Sequence, residues 1–302
     1  MPNFSESKEN VVIVRAGQKS LHKRWHLLPY HARNFDLVVS YFDEAAFRAH
    51  EEEAGVYAFL CIGGKWDGIY RTLDWMDQNF PEYEYYWLPD DDIDADSVSI
   101  NLLFDAMKGS NLGVAQPSLT PDSYFTHFLF INCPGVLLRY TNYVEIMVPC
   151  LARDVLVEVK PHFKETMSGF GLDYIWARLS TLGSRRAAIL DLVQVRHTRP
   201  VGNVLVSAMA KQGRSPKREE EVLKSLYGIA DRITPLVYEM LTVSGRHING
   251  LSYVGLEMSI RHLRRVFFVP KHARFYGIGK VYQLLRRQLT RKLDLKPIKN
   301  IG

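Results

Sequence analysis

The sequence predicts an α/β fold, a mostly parallel central sheet with helices on both faces, extended by a basic helical region. Strand-like apolar runs alternate with helical stretches over the first 200 positions. Hydrophobic residues make up 47% of the 302, enough for a sizeable buried core. Charge is divided unevenly: residues 203–302 hold 19 Lys and Arg against 7 Asp and Glu, and the residues before them 19 against 26. This shift divides the chain into a domain over 1–202 and a basic helical region over 203–302, with different partners expected for each.

In chain order, "NVVIVRAG" (10–17), "FDLVVSYFD" (35–43) and "VYAFLCIGG" (56–64) are strand-like in length and bounded by turn chemistry. Between the second and third, "DEAAFRAHEEEAG" (43–55) is rich in Ala and Glu and reads as a helix. "KWDGIYRTLDWMDQNF" (65–80) spaces Ile69, Leu73 and Met76 at helical intervals. A further strand, "YEYYWLP", runs into Asp90, Asp91 and Asp92; "SVSINLLFDAMKG" (97–109) is a helix ending at glycine, and "LGVAQPSL" resumes strand character. In the basic region, 219–241 reads as a helix or a pair broken at Pro235, and 251–270 as an amphipathic helix. "IGKVYQLLRRQLTRKL" (278–293) places Ile278, Val281, Tyr282, Leu285, Leu289 and Leu293 on one face, opposite Lys280, Arg286, Arg287, Arg291 and Lys292.

Composition narrows the function classes. Cys61, Cys133 and Cys150 are odd in number and lie in apolar runs, as expected of buried thiols in a reducing compartment. "MPNFSESKEN" has no basic stretch followed by an apolar one, and the longest greasy stretch (125–140) is too interrupted to span a membrane. The expected location is cytoplasmic, with the basic helices either lying on the anionic inner face of the membrane or packing on the catalytic domain. Nucleic acid is disfavoured, because no reader motif or basic-aromatic platform is present. With no Gly-x-Gly-x-x-Gly after the first strand and no Walker sequence, Rossmann dehydrogenases and P-loop NTPases are disfavoured too.

The acidic triplet is the strongest chemical signal. Three adjacent carboxylates at the end of a buried strand repel one another, and no cation is near in sequence, so a positive partner is expected from outside. In an open α/β sheet this position faces the ligand crevice, where several oxygens within one turn suit a hard divalent cation that also bridges phosphates. The plainer reading is a solvated loop capping the next helix through Asp96 or Ser97.

The Asp-x-Asp element after an apolar strand resembles that of GT-A nucleotide-sugar glycosyltransferases. "NFDLVVSYFD", "YEYYWLPDDDI", "GVAQPSL", "YVEIMVP", "GFGLDYIWA" and "VRHTRPVG" are, in that order, similar to the plant and bacterial family known as lysine-ketoglutarate-reductase trans-splicing related. The resemblance covers about residues 10–202. It implies a GT-A fold and a metal-dependent transferase using Mn²⁺ or Mg²⁺ and a nucleotide-diphosphate sugar. The acceptor would be a glycan or lipid-linked molecule, as in bacterial cell-surface polysaccharide or glycolipid synthesis.

On this resemblance, Asp92 and Asp90 are metal ligands, with Asp90 and Asp91 towards the nucleotide sugar, and His197 completes the ion's coordination. Arg196 and Arg199 face the leaving diphosphate, Asp173 is the base, and Gly169 and Gly171 let the backbone approach the donor. Glu145 lies on the acceptor side. At the ends of the first three strands, Arg15, Asp43, Lys65 and Trp66 form a nucleotide cradle, although core filling for Trp66 and helix capping for Asp43 are simpler roles. A metal-dependent nucleotidyltransferase and a non-catalytic carbohydrate-binding or scaffold protein remain alternatives.

Overall fold

A computed structural model describes residues 8–164, 166–179, 185–200, 209–210, 213–266 and 271–295. Its first half follows the alternation in the sequence: β1 (Asn10–Ala16), β2 (Phe35–Tyr41), α1 (Glu44–His50), β3 (Tyr57–Leu60), α2 (Trp66–Asn79), β4 (Tyr85–Trp87), β5 (Ile93–Asp94), α3 (Ser97–Gly109) and β6 (Leu112–Leu119). Then come β7 (Val136–Thr141), β8 (Cys150–Ala152), α4 (Arg153–Phe163), α5 (Leu172–Leu179) and β9 (Arg186–His197). The basic region supplies α6 (Pro216–Leu226), β10 (Val237–Thr242), β11 (His247–Asn249), α7 (Leu251–Val266) and α8 (Lys271–Thr290).

The strands lie in the order β11-β10-β7-β9-β6-β8-β4-β1-β2-β3, with β5 paired to β9 off this path. β1, β2, β3, β4, β6, β9 and β10 run one way; β7, β8 and β11 run the other. The sheet is therefore mixed and mostly parallel, as predicted. β1, β2 and β6 are buried along their whole length, so both faces of the sheet are covered there. α2 turns Ile69, Leu73 and Met76 inward at the predicted spacing, and Asp96 caps α3 by accepting the Ser99 N–H at 2.7 Å. The three cysteines are free and buried.

The basic region departs from its expected helical character. The helix beginning at Pro216 stops at Leu226, and Pro235 precedes a strand, not a second helix half. β10 pairs antiparallel with β7, so this part of the chain extends the central sheet. The last helix is also rotated from the expected face: Val281 and Leu284 are buried, whereas Ile278, Tyr282 and Leu289 are exposed. No described helix is long and apolar enough to cross a membrane.

A buried ion pair ties β7 to β9. Arg139 binds Asp191 through two parallel hydrogen bonds, of 2.6 and 2.9 Å, with both side chains fully enclosed. Its remaining donors reach the Leu129 and Ile131 carbonyls, and Asp191 also accepts the Cys133 N–H at 2.8 Å. The pair thereby fixes the 129–133 segment as well as the strands. Arg139→Leu, which leaves Asp191 charged and enclosed, is expected to cost about 3–5 kcal/mol in urea denaturation. Replacing both residues with apolar ones of similar volume is expected to recover most of that loss.

Candidate metal centre

Because β1, β3, β4 and β9 run the same way, their carboxyl ends meet at one edge of the sheet, and the acidic triplet lies there. After β4, the Leu88 N–H donates to the Pro149 carbonyl and the Asp90 N–H to the Met147 carbonyl, both at 2.9 Å. β5 then pairs antiparallel with the end of β9, setting Ile93 opposite His197. The Asp92 carbonyl accepts from the Thr198 N–H at 3.1 Å and the Thr198 hydroxyl at 2.8 Å. This short pairing carries His197 to the triplet.

Each carboxylate meets a different basic side chain. Lys65 Nζ lies 2.5 Å from Asp90 Oδ1 and donates to the Ile146 carbonyl at 2.7 Å. Asp91 takes Arg199 Nη1 at 3.1 Å on one oxygen and the Gly17 N–H at 3.3 Å on the other. Asp92 Oδ2 faces His197 Nε2 at 3.3 Å. The expectation of a counter-charge wholly from outside is thus corrected: adjacency in sequence hid three partners that the fold supplies.

A place for a cation nevertheless remains. Ligand atoms of Asp90, Asp92 and His197 lie within 4.8 Å of one another. His197 Nδ1 is 3.0 Å from the Tyr124 carbonyl, which can only accept, so Nδ1 carries a hydrogen. In the neutral ring Nε2 then presents a lone pair to the Asp92 carboxylate, and two acceptors facing each other need a proton or a metal ion between them. Burial lowers the His197 pKa, but the hydrogen bond and charge of Asp92 outweigh it and the net shift is upward. Asp92 Oδ1 is buried without a hydrogen-bond partner among the described residues. Two carboxylates and one imidazole suit Mn²⁺ or Mg²⁺, which take oxygen and nitrogen donors together with water.

Beside this centre lies a second acidic group. Trp176 Nε1 donates to the Val144 carbonyl at 2.9 Å, holding the segment between β7 and β8 against α5. On that segment the Tyr143 hydroxyl donates to Asp173 Oδ2, and the Glu145 N–H donates to Gln116 Oε1 at 2.7 Å. Burial lifts the Asp173 pKa to about 7 against the opposing pull of the Tyr143 bond. Burial, then the charges of Asp173 and Asp90, push Glu145 well above the usual carboxylate range. Asp173 Oδ1, Glu145 Oε2 and Gln116 Nε2 are all buried without partners among the described residues. Unmet polar atoms at this density suit a ligand rich in hydroxyl groups.

Several predicted residues have other employment. Arg15 is buried and donates to the Cys61, Gly63 and Gly64 carbonyls and to Ser40, so it shapes the β3–α2 loop from beneath and does not line a nucleotide cradle. Asp43 caps α1 by accepting the Ala46 N–H at 2.8 Å. Trp66 packs between Phe163 and Trp176, a core position that offers no face to a base. Arg196 points away from His197 by strand alternation and pairs with Asp122 at 3.0 Å. Gly169 has φ +75°, and a Cβ there would fall 2.0 Å from Trp66 Nε1; one at Gly171, φ +99°, would fall 3.1 Å from Leu223 Cβ. Close packing on Trp66 and α6 accounts for both glycines.

Three residues escaped the sequence reading. Gln116 and Tyr143 orient Glu145 and Asp173, and Glu219 of α6 organises the loop before α5. The Glu219 carboxylate accepts from the Ser168 N–H at 2.9 Å and from the Ser168 and Thr166 hydroxyls at 2.6 and 2.8 Å. A tyrosine two positions before an acid in an apolar run was a weak signal for Tyr143; nothing local marks Glu219.

No protein-family model matches the chain, so the closer family suggested by the six motifs gains no support, and no curated protein matches it significantly. Among solved structures the chain is similar to S. aureus TarS 1–349 in complex with UDP-GlcNAc, at 10% identity, 93% of this chain, 90% of that chain and a TM-score of 0.45. It is also similar to GalNAc-T7 with UDP, GalNAc and Mn²⁺, at 11% identity, 72% of this chain, 50% of that chain and a TM-score of 0.47.

Calorimetric titration with Mn²⁺ checks the centre. Asp92→Ala and His197→Ala are each expected to weaken binding by at least about tenfold, and Lys65→Met to tighten it by removing the ammonium that competes for Asp90. Because the ring must be neutral to donate its lone pair and its pKa is raised, affinity is expected to fall as pH drops through that raised value. His197→Ala is expected to weaken this dependence, leaving the part that comes from Asp90, whose pKa burial also raises.

Proposed function

We propose that the protein is a divalent-metal-dependent glycosyltransferase of GT-A type, moving a sugar from a nucleoside-diphosphate donor to a hydroxyl of a glycan or lipid-linked acceptor. The observation that carries the reading is the meeting of Asp90, Asp92 and His197 within 4.8 Å, at the sheet edge where such donors bind. Asp173 and Glu145 stand alongside. The Asp-x-Asp element in the sequence supports the same class.

In this reading Asp92 and His197 hold the ion, with Asp90 as third ligand. When bound, Mn²⁺ or Mg²⁺ supplies positive charge that stabilises the departing diphosphate. Lys65, already 2.5 Å from Asp90, is placed to exchange that carboxylate for a phosphate oxygen. Arg199 stays with Asp91 and keeps the strand ends together.

Asp173 takes the proton from the acceptor hydroxyl as that oxygen bonds to the sugar carbon; the bond from that carbon to the diphosphate breaks, and its electron pair leaves with the nucleoside diphosphate. The Tyr143 hydroxyl occupies Oδ2, which leaves Oδ1 to receive the proton. A base near 7 is matched to this task at physiological pH. Glu145, whose pKa is pushed upward by burial and by the charges of Asp173 and Asp90, stands beside it to hydrogen-bond a sugar hydroxyl.

A panel of nucleotide sugars with Mn²⁺ tests the class. Release of a nucleoside diphosphate from one donor is expected, and Asp92→Ala abolishes it. Release of pyrophosphate from a nucleoside triphosphate, with no sugar donor cleaved, would replace this reading with nucleotidyl transfer. Asp173→Asn is expected to lower turnover on the order of 10²–10⁴-fold while donor and Mn²⁺ binding survive. Since only the ionised carboxylate accepts the proton, kcat/KM is expected to rise with pH through about 7 and to fall below it.

A further inference from the structure

Outside the metal centre, a cavity of ≈ 40 Å³ lies between the 3-10 turn at Phe128–Phe130 and α8. That is room for roughly three water-sized groups. Thr126 and His127 line one side, Lys280, Gln283 and Arg287 the other, and Pro235 completes it. No acidic residue borders it, and α8 has none between Lys271 and Thr290. Arg287 is exposed and has no carboxylate partner among the described residues. Burial, then the charge of Arg287, lowers the His127 pKa to about 4. At physiological pH His127 is therefore a neutral hydrogen-bonding wall, and the positive charge comes from α8.

The cavity adjoins the chemistry just described. The His127 ring meets the Tyr143 ring edge to face at 5.8 Å, and the Tyr143 hydroxyl holds Asp173. A guanidinium offers a planar fork that matches a phosphate or a carboxylate, and Thr126 and Gln283 add neutral donors. We propose that this cavity is an anion subsite for the acceptor, taking a phosphate or carboxylate group on the molecule whose hydroxyl is presented to Asp173. Arg287 is its principal contact, with Lys280, Gln283 and Thr126 in support. The role towards Asp173 rests on the glycosyl-transfer reading, whereas the capacity to bind an anion does not.

Calorimetric titration of the full chain, without donor or metal, tests the site. The probes are glycerol 3-phosphate and glucuronate, with glycerol and glucose as neutral counterparts. At least one anion is expected to bind and its neutral counterpart not to. Arg287→Gln is expected to weaken binding by about tenfold or more, Arg287→Glu to abolish it, and Arg286→Gln, on the same helix outside the cavity, to leave it unchanged. Sedimentation with phosphatidylglycerol and phosphatidylcholine vesicles separates the sources. Retention by the anionic vesicles alone, lost in Arg287→Glu but kept in Arg286→Gln, assigns the group to a lipid headgroup; binding of the soluble anions without retention assigns it to a soluble glycan. Failure of all probes, or equal affinity in Arg287→Glu and the unaltered chain, overturns the proposal. If that happens while a nucleotide sugar is still cleaved, the transferase reading stands without it; if the anion binds at Arg287 but no donor is cleaved, the site stands and the transferase reading falls.

Discussion

Three carboxylates on consecutive residues form the constraint around which this sheet edge is arranged. Their mutual repulsion is relieved in part by partners that each arrive from a different segment: the ammonium of Lys65 from the β3–α2 loop, the guanidinium of Arg199 from beyond β9, and the imidazole of His197 from the end of β9 itself. The backbone joins in through the Gly17 N–H after β1 and the Met147 carbonyl before β8. The triplet is thus a hub joining segments far apart in sequence. Each contact that neutralises charge also fixes the place of a neighbouring loop.

The compensation is uneven, and the unevenness is informative. Asp91 is satisfied on both oxygens and acts as a structural tie. Asp92 has one buried oxygen without a partner and another facing an imidazole lone pair, so its environment is complete only with a further cation. Beyond it, Glu145 and Asp173 are shifted towards their neutral forms by burial, and each keeps an unpartnered buried oxygen. Buried acids with raised pKa values next to a set of metal-ligating side chains give one edge of the sheet two kinds of chemistry, charge stabilisation and proton transfer.

Much of the fold was legible because the relevant signals are local. Continuous β-branched runs marked β1 and β2, glycine marked the end of α3, and the spacing of Ile69, Leu73 and Met76 marked α2. The triplet and His197 were legible as chemistry, yet the pairing of β5 with β9 that joins them spans two residues and leaves no periodic trace. Lys65 is legible as a phosphate ligand, whereas its link to Asp90 and to the Ile146 carbonyl joins segments far apart in sequence. Arg15, Asp43, Trp66 and Arg196 are residue types that suit a ligand site and a structural role equally well, and only the direction of each side chain decides. β10 was read as helix because "TPLVYEML" carries both helical spacing and strand propensity, and its pairing with β7 settles the conflict. Glu219 was invisible because its partners, a turn at 166–168, lie on a different element.

The basic region is bound into the same body through β10, paired with β7, and through the packing of α8 on the 3-10 turn at Phe128–Phe130. The proposed chemistry requires that this edge of the sheet accept a divalent ion. An anomalous-difference map at the manganese absorption edge, from crystals grown with Mn²⁺, tests this most directly. A single peak is expected within about 2.3 Å of both an Asp92 carboxylate oxygen and His197 Nε2. A map with no peak there, and Lys65 still seated on Asp90 at saturating Mn²⁺, would contradict it.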